Sequence, residues 1–145
     1  MKIVFVNISG ISKIYRQEVK DYFSEFDVVV ICETWVSEKG AVPELSKFSL
    51  AAKNCAKKNK KLGRCSGGML VYCKNECLEF MHTEVEDNFV RVSFRENNFI
   101  FAYNPPESSD FADKKFFKKM SNELCESSRK HGICLLYTSP SPRDA

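Results

Sequence analysis

The sequence predicts an α/β chain with a mixed, mostly antiparallel sheet and two helices, and three observations lead there. Residues 2–8 and 28–32 are short runs of consecutive apolar side chains, as in strands buried on both faces. Between them lies a stretch with helical apolar spacing, so this part reads strand–helix–strand and suggests a parallel pair. Further on, short alternating segments are separated by turn residues, the pattern of an antiparallel meander.

In the opening strand, Ile3 and Phe5 on one face and Val4 and Val6 on the other are apolar, which predicts a central position in the sheet. Asn7 lies at its end, and Gly10 allows a tight turn. Ser12 is placed to cap a helix running to about Phe26, with Ile14, Tyr15, Val19, Tyr22, Phe23 and Phe26 on one apolar face. Asp27 opens the second strand, Val28-Val-Val-Ile-Cys32, which runs straight into Glu33-Thr34-Trp35. A carboxylate at the carboxyl end of a rigid buried strand is held in position, as a metal ligand or general base must be. The same residue also reads as a solvated acid at a strand end.

A polar connection to Pro43 leads to a short strand over 48–52. Residues 53–64 form a basic loop with Lys53, Lys57, Lys58, Lys60, Lys61 and Arg64 and no acid. Such a run is either a solvated loop or a surface that attracts phosphate. Ser66-Gly67-Gly68 leads into a strand over 69–73, Lys74-Asn75-Glu76 is a turn, and residues 77–82 form the next strand. Val90, Val92 and Phe94 then alternate with Arg91 and Ser93, Glu96-Asn97-Asn98 makes a hairpin turn, and residues 99–103 return. Asn104-Pro105-Pro106 stops that strand, because proline has no amide to donate, and this places Tyr103 at its end. A helix over 110–130 follows, with Phe111, Phe116, Phe117, Met120 and Leu124 as its apolar side and Gly132 as the C′ residue. Ile133 begins another strand.

The 145 residues make one domain or a piece of one. Apolar content of 43% and charged content of 28% are ordinary for a soluble globular chain. No run is long and apolar enough for a membrane span, and the apolar start is too short for a signal peptide. The seven cysteines show no paired spacing and read as reduced thiols of an intracellular protein. Cys65, Cys73 and Cys77, with His82 nearby, make only a weak zinc pattern. His82 reads as a surface strand residue and His131 as a helix-end residue favoured by the macrodipole. The net charge of +3 is mild, so the placement of the basic residues carries more information than their sum.

Four signatures occur in order: Asn7-Ile8-Ser9-Gly10, Cys32-Glu33-Thr34-Trp35, Gly63-Arg64-Cys65-Ser66-Gly67-Gly68, and Tyr103-Asn104-Pro105-Pro106-Glu107-Ser108-Ser109. Together they resemble the endonuclease/exonuclease/phosphatase superfamily, the fold shared by DNase I and the apurinic endonucleases. Within it they look most like the endonuclease domain of non-LTR (LINE-type) retrotransposons. The resemblance implies the amino-terminal half of a four-layer αββα sandwich and a Mg²⁺-dependent DNA endonuclease that nicks target DNA in the nucleus. It implies Glu33 as the carboxylate that binds Mg²⁺, Asn7 as an active-site amide, and Tyr103 as a phenol donating towards the scissile phosphate. Arg64, with Lys60 and Lys61, would approach the DNA backbone. Ser9 stands where relatives often carry Asp or Asn, so a second acidic contribution is missing there.

The resemblance runs from residue 1 to 133. Residues 134–145, Cys134-Leu-Leu-Tyr-Thr-Ser-Pro-Ser-Pro-Arg-Asp-Ala145, resemble instead the translation of a transposase-type sequencing-library adaptor and are read as a non-native tail. In the family, a Gly-Asp-x-Asn motif and an Asp-His pair follow the point where the resemblance stops. The chain as written is therefore expected to be an inactive fragment, with a reverse transcriptase domain downstream in the full-length polypeptide. Loss of the second half is also expected to leave the apolar faces of strands 2–8 and 28–32 bare and the chain poorly soluble. Two other readings stay open: another phosphodiesterase of the same superfamily, acting on a phosphoinositide or sphingolipid, and a non-catalytic nucleic-acid-binding module.

Overall fold

The structure, a computed structural model, describes residues 1–58, 63–104, 114–128 and 133–137. It is α/β with mixed sheets and few helices, as the sequence predicts, and divides into two units, Met1–Glu79 and Phe80–Ala145.

In the first unit, β1 (Ile3–Asn7) and β2 (Val28–Cys32) are parallel, with Ile3 opposite Val28 and Asn7 opposite Cys32. With β3 (Phe48–Asn54), β4 (Lys57–Lys58), β5 (Cys65–Ser66) and β6 (Met69–Lys74) following in the chain, the main sheet has the order β1-β2-β6-β3. β6 pairs antiparallel with both of its neighbours, and a bulge interrupts β3 between Leu50 and Ala52. Val4, Val29, Ile31, Leu70 and Tyr72 point to one face and pack with Ile14 and Phe23.

Three expectations change here. β1 is an edge strand among the described residues, because an apolar pattern on two faces reports covered faces, not lateral partners. β2 does not show an apolar face to water: each of its five residues is at most 1% exposed. The helix expected from Ser12 to Phe26 is two pieces: a 3-10 turn, Ile11–Tyr15, and α1 (Gln17–Ser24). Arg16 between them is extended, with φ −71° and ψ 133°, and its carbonyl accepts from Val19 and Lys20. The cause is long-range. The amides of Gly10 and Ile11 donate to the carbonyls of Glu33 and Thr34, which holds the chain against the extension of β2 before a helix can start. Tyr15 and Tyr22, expected on the apolar face, are 58% and 51% exposed.

The basic loop is partly ordered as a ribbon, since Lys57 and Lys58 of β4 pair with Ser66 and Cys65 of β5. Lys60 and Lys61 lie outside the described residues.

In the second unit, β7 (Met81–Val85), β8 (Phe89–Phe94) and β9 (Asn97–Ala102) form the expected antiparallel meander. The strand expected at 77–82 begins four residues later, after a 3-10 turn over Asn75–Phe80. The hairpin between β8 and β9 turns on Arg95 and Glu96, with Arg95 at φ 53°. α2 (Phe116–Ser128) buries Phe116 and Met120 with Phe89, Ile100 and Ala102. Phe117 is 73% exposed: adjacent residues on a helix are about 100° apart, so only one of the two phenylalanines can face the sheet. β10 (Ile133–Tyr137) pairs parallel to β9, Ile133 opposite Asn98 and Tyr137 opposite Ala102. The strand expected at Ile133 therefore extends into the adaptor-like residues. Phe111, Gly132 and His131 lie outside the described residues.

Candidate functional site

The carboxyl ends of β1 and β2 lie side by side because the two strands are parallel and in register at Asn7 and Cys32. Ligand groups in open α/β sheets gather at this end of parallel strands. The loop after β1 is zipped to the segment after β2: Ile8 donates to Cys32 at 3.1 Å, Gly10 to Glu33 at 2.8 Å and Ile11 to Thr34 at 3.0 Å. Thr34 and Trp35 donate in turn to the carbonyls of Gly68 and Gly67, at 3.4 and 2.9 Å. Glu33-Thr34-Trp35 is thus held between residues 10–11 and 67–68.

The backbone there is strained. Ser9, Glu33 and Trp35 have φ of 48°, 56° and 61°, a region that non-glycine residues seldom adopt. Gly10, Gly67 and Gly68 also have positive φ. At Gly68 a Cβ would stand 2.6 Å from Thr34 Oγ1, and at Gly10 it would stand 2.8 Å from Trp35 Cζ3. These two glycines admit the close approach of the Glu33–Trp35 segment on either side.

Glu33 is 8% exposed and, with Thr34, makes up the buried polar side chains of the described core. Its Oε2 accepts the Trp35 indole N–H at 2.7 Å. Asn7 closes a local turn: its Oδ1 accepts from the Ser9 amide at 3.1 Å and the Ser9 hydroxyl at 3.2 Å. This points Nδ2 the other way, and among the described residues that buried donor has no partner. The Lys13 ammonium donates to the carbonyls of Ile8 and Ser9, at 2.9 and 3.0 Å, and ties down the same turn. Arg64 is exposed, and its guanidinium carbon lies 4.0 Å from the centroid of the Trp35 ring.

Of the expected site residues, Asn7, Glu33 and Arg64 therefore belong to one loop cluster of the first unit. Tyr103 belongs to the second unit: it follows β9, is 6% exposed, and its amide donates to Asn88. Sequence reasoning gave no site role to Lys13, quoted Gly10 and Trp35 only as members of the signatures, and noted Ser9 only as a place where an acid is missing. Asn-x-Ser is a local turn signal that points to Ser9. The Gly10–Trp35 contact has no such signal, since it forms between distant parts of the chain.

Among the described residues no three His, Cys, Asp or Glu side chains stand close enough to hold a metal on their own. That set does not make a zinc cage, and burial beside Cys77 pushes the Cys73 thiol up to about 12, away from the thiolate that zinc requires. Described cysteines form no disulfide, and His82 is a surface strand residue. A single well-held carboxylate does fit Mg²⁺, a hard ion that keeps several waters and takes one or two carboxylates from the protein.

No protein-family model matches the chain, and no curated protein does. Solved structures do. A 3′-5′ exonuclease, NExo, from Neisseria meningitidis is 11% identical with a TM-score of 0.65, over 94% of this chain and 57% of that one. The 3′ phosphatase NExo from Neisseria bound to a product DNA hairpin is 13% identical with a TM-score of 0.66, over 99% and 60%. The AP endonuclease LMAP from Leishmania major is 14% identical with a TM-score of 0.67, over 94% and 54%. The chain spans between 54% and 60% of the length of these proteins. Over that span it has the DNase I-like α/β fold found in these nuclease structures.

Proposed function

We propose that this chain is part of a Mg²⁺-dependent DNA endonuclease of the non-LTR retrotransposon type, which nicks target DNA by phosphodiester hydrolysis. A reverse transcriptase domain belongs to the same full-length polypeptide, and the work is done in the nucleus. The observation that carries the reading is Glu33: a residue 8% exposed, its carboxylate held by an indole N–H, in a pair of zipped loops that maintains three strained non-glycine residues. Burying a carboxylate is costly, and strain of this kind persists where a position must be held. The DNA hairpin in the related Neisseria structure and the likeness to an AP endonuclease support DNA as the substrate class.

Each residue has a part. Glu33 would hold the cation, which when bound would supply positive charge to the reacting phosphate. Asn7 presents Nδ2 as a donor where negative charge develops, with its amide orientation set by Ser9. The family resemblance alone makes Tyr103, in the second unit, a further phenol donor of the full-length enzyme. Arg64, Lys60 and Lys61 meet the DNA backbone and set register without reading sequence. The chain contains no Gly-Asp-x-Asn motif, and neither His82 nor His131 follows an Asp, so the general base of the reaction is not in these residues.

The 145-residue polypeptide by itself is therefore expected to bind duplex DNA and leave supercoiled plasmid uncut in Mg²⁺. Arg64→Ala is expected to weaken binding and lower the log–log salt slope by about one. Nicking that disappears in Glu33→Ala would overturn the inactivity of the fragment. Absence of any salt-dependent DNA binding would overturn the substrate.

A further inference from the structure

Trp35 is the single tryptophan of the chain, and its indole is engaged on three sides. The Nε1 edge donates to Glu33 at 2.7 Å. The ring lies so close to Gly10 that a Cβ there would stand 2.8 and 2.9 Å from Cζ3 and Cε3. The Arg64 guanidinium sits 4.0 Å from its centroid. We propose that Trp35 is a positioning residue for two groups at once: its N–H edge fixes the carboxylate that takes the divalent cation, and its π face seats the guanidinium that takes a DNA phosphate. This rests on the function proposed above and adds to it the side chain that couples cation site to phosphate site.

The physics of each side is separate. The indole N–H engages Oε2 and so sets the carboxylate plane, with Oε1 as the oxygen for a cation. Outer partners of this kind govern how well a ligand group binds metal. A guanidinium over an indole is held by cation–π attraction and by planar stacking, without using its N–H donors. Those donors stay at the rim, where a phosphate can accept two of them. Gly10 is what lets the ring lie in place, so the loop after β1 takes part although it supplies no side chain.

Trp35→Phe separates the two roles, because it keeps a ring and removes the N–H. The probes are Mn²⁺, followed by the paramagnetic resonance of the free ion, and a labelled DNA duplex in chelator, followed by fluorescence anisotropy. Trp35→Phe is expected to bind Mn²⁺ about tenfold more weakly, and to hold DNA within about threefold of the wild-type chain. Arg64→Ala should show the opposite pattern. A Trp35→Phe chain that weakens neither probe, or both alike, overturns the positioning role. If the wild-type chain takes up no Mn²⁺, or if uptake survives Glu33→Gln, the metal reading itself falls and this inference with it. Should Trp35→Phe fail to fold, the wild-type chain decides. Its one indole cross-peak in a nitrogen-15 spectrum must move on adding Mg²⁺ and, separately, on adding DNA. A peak indifferent to Mg²⁺, while Mn²⁺ uptake depends on Glu33, overturns the proposal.

Discussion

Gly10 shows how much a single position carries at the residue scale. It has φ 108°, and its α-carbon lies where any side chain would run into the indole of Trp35. Gly63 is its natural control, with φ 65° and open space around it. Gly10→Ala is expected to cost about 1–3 kcal/mol more than Gly63→Ala in a urea titration, since displacing the ring adds an overpacking cost to the backbone strain. Gly63→Ala should cost about 1–2 kcal/mol, the conformational term alone. Equal losses would mean that the ring gives way freely and that Gly10 does not hold Trp35. Glu33 stands out in the sequence because a carboxylate ends an apolar run. That Trp35 holds it cannot be seen there, because Nε1 reaches the acid only after both residues adopt positive φ.

Strand β2 is the element around which the first unit is arranged, and it was the most legible: five consecutive apolar residues bounded by Asp27 and Glu33. The helix after β1 was less so. Periodicity over 14–26 reports which side chains are apolar, not that two amides upstream are already bonded to Glu33 and Thr34. Asp27 anchors the other end of β2. Its carboxylate accepts the Lys2 backbone N–H at 2.6 Å and pairs with Lys74 at 3.3 Å. The Lys2 hydrogen bond, then the Lys74 hydrogen bond and charge, hold its carboxyl below the ordinary value of 3.8, against the opposing effect of burial. A carboxyl depressed in the folded state stabilises the fold fully above its unfolded value. That contribution is lost as pH falls from about 3.8 through the folded value. Asp27→Asn should flatten the acid limb of the stability curve, read as the urea midpoint against pH, and leave the curve at higher pH shifted but parallel. An unchanged acid limb would mean that Asp27 does not couple β1 to β6.

At the scale of the whole molecule, each unit contains a strand–helix–strand crossover: β1–α1–β2 in the first and β9–α2–β10 in the second. The second places adaptor-like residues in a strand. Cys-Leu-Leu-Tyr is a short apolar run, and an open edge of β9 accepts such a run whatever its origin. Strand and helix types were legible over most of both units because periodicity survives weak sequence likeness. Identities of 11–14% to structures of the same fold show how little else does. The central claim is that a divalent cation rests on the acid before Thr34 and Trp35. Anomalous diffraction from crystals of the chain soaked in Mn²⁺ tests it most directly. The account predicts a peak bonded to a Glu33 carboxylate oxygen, absent in Glu33→Gln. A peak elsewhere that Glu33→Gln leaves in place, or no peak at all, would contradict it.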